Sequence, residues 1–524
     1  MRFLRRVHLH PFLIGIFPVL SLYAHNQSQL QPGAAWRSLA VILAGTALVF
    51  VLLRWITGDW TRAGFLTTYS SFLFFIYGPV KDITTQQKIH FGIINLASNR
   101  YLLPLWLIFF IAGFWLVARK VPRSETSLIT FNGIALATLI LPLISITSYT
   151  LSNPSISTAK LPKVSVSQTS PTQPDIYYII LDMYGRSDTI QSGFGYDNSA
   201  FLDTLRKQGF YVAACSTSNY TLTQLSMASS LNMNYLPALG NQFTAGHTYD
   251  SKAASLIRDN AVRHYLAQYG YAFVSFETRY PFLNITDADA LLSMPNKNKY
   301  IQPFEIVLLE QTPAILAVNE IGKLAGIYNF GDVRKFGSIY DSILFELNSL
   351  SNLPSSIQDP KFVYAHLTIP HPVFVFGSNG EYIGNDERLT GGVNEESVDS
   401  KAYGLGYTDQ VKYIDGRILQ ITEEIIAHSK NPPVIIIQDD HGFGDWDNAA
   451  TRLPILNAYY LPGTQSNHLL YPGITPVNTF RVVLDTYFHG QFGLLPDLNY
   501  LSSTDDNSYN AVLNKNQPVK CQPK

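Results

Sequence analysis

The stretch VIIIQDDHGFGDW, Val434 to Trp446, runs apolar residues straight into two aspartates, a histidine and a glycine. Its first part reads as a buried strand. Charge at the end of such a strand needs a physical reason, because an unpaired carboxylate in a protein interior is very costly. Similar runs lie upstream: DIYYIILDM (Asp175–Met183), YAFVSF (Tyr271–Phe276) and KFVYAHLTI (Lys361–Ile369), with PVIIIQD (Pro433–Asp439) as the last strand. Helical patterns separate them. DNSAFLDTLRKQGF (Asp197–Phe210) has Asp197 or Asn198 as its cap and Gly209 near its end. In YTDQVKYIDGRILQITEEIIAHS, residues Val411, Ile414, Ile418, Ile421 and Ile425 fall on one face. Buried strands alternating with helices predict an α/β domain with a mostly parallel sheet sandwiched by helices. In such sheets, sites form beyond the carboxyl ends of the strands.

The residues at those ends are of metal-ligand type. The first strand ends in Asp182; the Lys361 strand contains His366 and runs into IPHPVF with His371; the Val434 strand ends in Asp439-Asp440-His441-Gly442. A divalent cation would neutralise carboxylates that otherwise could not share a site, and Gly442 would let the chain turn closely past it. Each residue also has a plainer reading: Asp182 as a cap, the histidines as loop residues, one aspartate of the pair as part of a turn. Of that pair Asp440 is the expected ligand.

The first 150 residues are organised differently. Apolar segments occur at Pro11–Ala24, Leu39–Ile56, Phe65–Val80, Tyr101–Ala118 and Leu128–Tyr149. Roughly 20 apolar residues cross the hydrocarbon core, which makes the second, fourth and fifth firm spans. The first contains Pro18, and the third is diluted by Thr67, Thr68, Ser70 and Ser71. Arg2, Arg5, Arg6, Arg54, Arg62, Arg119, Lys120 and Arg123 gather on one side if all five cross, which puts the N-terminus in the cytoplasm. Everything beyond Tyr149 is then extracytoplasmic. A cleaved signal peptide is the rival reading of the first segment. No acid–base pair within the spans suggests a transport path, so they read as an anchor. The Ser, Thr and Pro-rich stretch that follows reads as an extended linker. The expected organisation is therefore an anchor of about five helices over 1–150, a linker over 151–174, a catalytic domain over 175–500 and a tail over 501–524.

Composition narrows the partners. The 524 residues carry a net charge of −1, with 13% aromatic and 14% charged residues. That balance suits a membrane protein with a soluble part and offers nothing to nucleic acid. Cys215 and Cys521, far apart in sequence, are not expected to pair.

With LDMYGR, HPVF and DHG in this order, the chain resembles the alkaline phosphatase and sulfatase superfamily over roughly Asp175 to Tyr487. Its anchor plan is similar to that of lipoteichoic acid synthase and the phosphoethanolamine transferases. The resemblance implies a hydroxyl or modified-cysteine nucleophile within CSTSNYTLTQLSMASSLNMNYL (Cys215–Leu236), where helical periodicity begins near Thr221–Thr223. Matching the pattern places Thr223 as nucleophile, with Thr221 second. A hydroxyl at a helix N-terminus gains from the dipole and the free N–H groups, although either threonine is also an ordinary cap. Cys215 lacks the Cys-x-Pro-x-Arg context of formylglycine sulfatases, so threonine-based phosphoryl transfer fits better. The match further implies that Asp182, Thr223, Asp440 and His441 bind one metal, Mn²⁺, Mg²⁺ or Zn²⁺. His371 would hold phosphoryl oxygens or assist the leaving group, with His366 as the weaker candidate. For a second metal only His468 and His489 follow the DHG motif, which makes one doubtful.

The implied activity is transfer of a phosphoryl-linked group from a phospholipid headgroup to an extracytoplasmic glycan or lipid. A phosphodiesterase, phosphatase or sulfatase is the second reading, and a non-catalytic scaffold the third. The aromatic residues between the Tyr271 and Lys361 strands (Tyr280, Phe282, Tyr300, Phe304, Tyr328 and Phe330) are either ordinary packing or the wall of an acceptor site.

Overall fold

The computed structural model describes residues 7–27, 33, 35–87, 90–91, 94–96, 98–152, 173–295, 303–317, 330–357, 360–384, 401–445, 447–463, 469–502, 508–515 and 521. The linker expected over 151–174, Tyr300, Tyr328 and His468 fall largely or wholly outside these. The chain divides into two compact units, Met1–Ser157 with Asn298–Lys335, and Thr158–Lys297 with Phe336–Lys524.

The first unit is a helical bundle: α1 (His10–His25), α2 (Trp36–Thr57), α3 (Trp60–Gln86), α4 (Asn99–Lys120) and α5 (Glu125–Ser152). Among the described residues, α2, α4 and the Glu125–Ser148 part of α5 are long and apolar enough to cross a membrane. These are the three segments whose composition is least diluted. Helix α1 packs against α2, α3 and α5, and α3 against α4. Leucines and isoleucines such as Leu107, Ile111, Leu48 and Leu141 face outward, as lipid-facing side chains do. The unit fits a membrane anchor. It also takes in a short helix, Pro303–Glu310, far along the chain, whose Phe304 and Leu308 bury against Val19 and Ala35. Arg37 and Glu305 form an ion pair, and Gly78 donates its N–H to the Gln311 carbonyl at 3.0 Å. A Cβ on Gly78 would lie 2.4 Å from Gln311 Cα, so this contact needs the glycine.

The second unit is α/β. Its strands are β1 (Ile176–Leu181), β2 (Tyr211–Val212), β3 (Ala272–Phe276), β4 (Ala290–Leu292), β5 (Lys361–Leu367), β6 (Val434–Gln438) and β7 (Asn457–Tyr460). They lie in the order β2-β7-β6-β1-β5-β3-β4. Pairing is parallel throughout except at β7, which runs against both β6 and β2. The central strands β6, β1 and β5 are fully buried, which is why they read as continuous apolar runs.

Alternation along these strands sorts their residues between two cores. Tyr177, Ile179, Leu181, Ala365 and Ile437 pack under helices Ser187–Phe194, Ser199–Lys207, Phe330–Ser356 and Lys401–His428. The five aliphatic residues from Val411 to Ile425 are all buried there. Tyr178, Ile180, Tyr364 and Ile436 pack under helices Thr223–Leu231, Asp250–Arg258, Ala261–Ala267 and Pro476–Tyr487.

Contrary to expectation, Cys215 and Cys521 form a disulfide, with Cα atoms 5.4 Å apart. Sequence distance carried no information here, because the chain returns at Tyr500 and Ser508 to bridge Tyr220 and Thr248. Tyr500–Leu501 pairs antiparallel with Val512–Leu513, and the Cys521 sulfur also lies 3.4 Å from the Ala214 carbonyl.

One buried acid in the first core makes stability pH-dependent. Asp415 accepts hydrogen bonds from Tyr184 Oη at 2.5 Å and Tyr196 Oη at 3.1 Å. Burial nevertheless pushes its carboxyl up to about 8, from an ordinary 3.8. Between those values the folded state holds a proton that the unfolded chain has lost. This contribution to stability is therefore complete below the lower value and is lost as pH rises through about 8. Asp415→Asn is expected to flatten that decline by on the order of a few kcal/mol, at ~1.4 kcal/mol per pH unit. Thermal unfolding of both proteins between pH 4 and 8.5 checks this; parallel curves would refute it.

Candidate metal centre and active site

The site lies beyond the carboxyl ends of the three central strands. Ile180 of β1 is in register with His366 of β5 and with Gln438 of β6. Two residues on from Ile180 and Gln438, Asp182 and Asp440 point to the same sheet face as His366. One ligand atom from each of Asp182, His366 and Asp440 lies within 4.8 Å of the other two, and all three residues are buried. His366 Nε2 stands 3.4 Å from Asp182 Oδ2. Asp439, one residue out of phase, takes the opposite face and is buried without a place in this group.

Helix Thr223–Leu231 covers the same face and begins at Thr223. Thr223 Oγ1 is 2.9 Å from His441 Nε2, which is itself 3.4 Å from Asp440 Oδ2. His441 Nδ1 donates to the Gly442 carbonyl at 3.1 Å, which leaves Nε2 as the acceptor facing the threonine. Thr221 is placed otherwise. It is buried, its hydroxyl accepts from Ser502 N at 3.0 Å, and its carbonyl accepts from Arg452 Nε at 3.0 Å.

Gly442 allows the turn that orients His441. Its N–H donates to the Arg452 carbonyl at 2.7 Å, and a Cβ there would come within 2.2 Å of the Thr451 carbonyl oxygen. On the first strand, Met183 carries a φ of 67° directly after Asp182. A side-chain-bearing residue adopts that left-handed backbone only under constraint, and the chain turns sharply off the sheet there.

Burial dominates the electrostatics. Asp440 is pushed up to about 6 by desolvation and then by the Asp182 charge, with His366 opposing. Asp182 is raised by the same burial, opposed by His371, Arg279 and Arg452. His366 is lowered to about 4 by burial, and His441 is held well down by burial and the Arg452 charge. Both imidazoles are therefore neutral at pH 7, as metal ligation requires. Asp182 Oδ1 and both oxygens of Asp440 accept no hydrogen bond although buried. Acceptor atoms in that condition call for a cation. Two carboxylates with imidazole and hydroxyl donors suit Mn²⁺, Mg²⁺ or Zn²⁺.

Sequence reasoning missed two arginines. Arg452, buried on the segment returning towards β7, donates Nη1 to the Gly444 carbonyl at 3.0 Å and places Nη2 3.2 Å from His441 Nε2. Arg279 Nη2 donates to the Pro372 carbonyl at 2.6 Å and to His371 Nδ1 at 2.9 Å. His371 thereby stands beside Arg279 and Tyr280, whose ring stacks on Phe282 at 5.6 Å. Tyr280 therefore lies beside His371, and Phe282 packs on Tyr280 and the second core, whereas Phe304 is buried in the anchor unit. His489 is exposed at a surface turn.

No protein-family model matches the chain, and no curated protein matches it. Solved structures do. The C-terminal periplasmic domain of EcEptC from Escherichia coli, in complex with Zn, matches at 12% identity and TM-score 0.41, covering 66% of this chain and 93% of that one. The protein yidJ from Bacteroides fragilis matches at 12% identity and TM-score 0.38, covering 62% of this chain and 75% of that one. The integral membrane lipooligosaccharide phosphoethanolamine transferase A from Neisseria meningitidis matches at 11% identity and TM-score 0.36, covering 94% of this chain and 96% of that chain.

Proposed function

We propose that the protein is a membrane-anchored, metal-dependent enzyme of the alkaline phosphatase and sulfatase superfamily. It transfers a phosphoryl-linked group from a phospholipid headgroup to an extracytoplasmic glycan or lipid through Thr223. The observation that carries this reading is the convergence of Asp182, His366 and Asp440 in front of a helix that starts at a threonine hydroxyl.

Asp182, Asp440, His441 and Thr223 would hold one divalent ion, with His366 beside them. The ion would supply charge neutralisation and a lowered pKa for the nucleophile. The chain's own groups do the remainder. The start of the helix presents free N–H groups towards phosphoryl oxygens. Thr223 Oγ1, its proton given up to solvent at that lowered pKa, attacks phosphorus, forming a threonine phosphoester as the bond to the lipid alcohol breaks. Arg279 and Tyr280 hold His371, a neutral imidazole that burial lowers to about 4, so that its Nε2–H steadies the phosphoryl oxygens or the departing alkoxide, which takes its proton from solvent. An acceptor hydroxyl then takes the group from Thr223 and restores the free threonine.

Transfer must outcompete water, which requires an acceptor held better than bulk solvent. The full-length protein in vesicles of phosphatidylethanolamine and phosphatidylglycerol is expected to yield diacylglycerol together with a modified acceptor glycan or lipid. Release of the headgroup phosphate into water with no acceptor product, at the same rate after removal of residues 1–150, would identify a hydrolase instead.

A further inference from the structure

Helices α1, α3, α4 and α5, with Gln311, line a half-open cavity of about 720 Å³ within the anchor unit. Its walls are aromatic and aliphatic, including Phe17, Phe72 and Phe131. The hole has a cause in the sequence. Ser21 of α1, Ser71 of α3 and Ala135 and Thr138 of α5 all face it, and side chains that small cannot fill the space between four helices. Pro18 and Pro79, which also line it, each remove a backbone hydrogen bond from α1 and α3.

We propose that this cavity holds one acyl chain of a membrane phospholipid. The volume falls within the ~300–1,000 Å³ of ligand pockets. Phe65 and Pro79 line its two ends along α3. Helical rise separates them by about 21 Å, longer than the ~15 Å depth of one leaflet, so a whole chain fits. Three of the polar groups lining it are already engaged, which leaves water fewer partners there. Thr138 Oγ1 donates to the Ala135 carbonyl at 2.8 Å, Tyr69 Oη to the Phe109 carbonyl at 2.6 Å, and Thr68 Oγ1 meets His10 Nδ1 at 2.5 Å. Lipid hydrocarbon is the apolar material that surrounds such a bundle. His25 and Gln311, at the Pro79 end, place polar groups where the glycerol and headgroup emerge. The inference concerns a bound lipid in the anchor and holds whether or not that lipid is the reacting donor.

The test uses full-length protein in nanodiscs of phosphatidylglycerol doped with a phosphatidylethanolamine that carries a diazirine near the end of one palmitoyl chain. After irradiation, mass spectrometry is expected to find adducts on the half-buried Phe17 and Phe131 in excess of those on the outward-facing Leu107 and Ile111. Ser71→Trp and Thr138→Trp, which fill the hole, are expected to lower the cavity adducts roughly tenfold or more and to leave those on Leu107 and Ile111 unchanged. Adducts confined to outward-facing residues in the wild-type protein would overturn the proposal without recourse to any variant. Cavity adducts that persist at full yield in both tryptophan variants would overturn it as well.

Discussion

Asp440→Asn is expected to yield a folded protein that no longer retains a divalent ion. The substitution keeps the shape of the side chain and removes a charge from the end of β6, where neither carboxylate oxygen accepts a hydrogen bond. Without a cation, Asp182 and Asp440 repel one another in a buried space, and the variant relieves that repulsion. Its stability should therefore equal or exceed that of the metal-free wild type. With metal the order reverses. A ligand that binds only the folded state adds ~2.7 kcal/mol at a hundred times its Kd, and the wild-type protein alone gains this. His441→Ala should weaken metal binding too, by on the order of a hundredfold, while leaving the strand ends in place. Metal analysis of the purified full-length proteins, with thermal unfolding in the presence and absence of Mn²⁺ or Zn²⁺, reads both effects. Stoichiometric metal in both variants would remove the centre from the reaction proposed here.

The parts of this centre differ in how far they could be read in advance. Val434–Gln438 is buried on both faces, so its apolar run and the charge at its end were visible directly. The alternation that separates Asp439 from Asp440 is also a property of a single strand. The place of His366 was not legible, because it depends on the register of β5 against β1, and register is set by packing between strands distant in sequence. The same holds for Arg452, which ends the short helix Ala449–Arg452, and for Arg279, on an irregular segment; the direction of both is set by the tertiary fold. In the anchor, length and hydropathy sufficed for α2, α4 and α5. The helix Pro303–Glu310 is apolar too, but only its contacts with Val19 and Ala35 assign it to that unit. The Cys215–Cys521 bond is legible only once the chain end has been seen to return.

Thr223→Ala is expected to lower kcat on a phosphodiester substrate by roughly three orders of magnitude or more, with KM changed little. Loss of the nucleophile removes a covalent step, whereas the groups that bind the substrate stay in place. The residual rate would come from direct attack by water at the same phosphorus. Thr221 supplies the comparison, because the two hydroxyls sit two residues apart in different surroundings. Thr221 Oγ1 is buried and accepts from Ser502 N, so Thr221→Ala leaves a buried N–H without its partner. That costs ~1–3 kcal/mol of stability and touches no reacting atom. Thr223 Oγ1 instead faces His441 Nε2 at the head of its helix. Thr223→Ser keeps an attacking hydroxyl at that point and should retain activity, and a trapped phosphoserine in this variant would mark the nucleophile directly. A dead Thr221→Ala with an active Thr223→Ala would move the nucleophile two residues back. The helix start would then serve only to bind phosphate, and the contact between Thr223 and His441 would do no more than orient the imidazole.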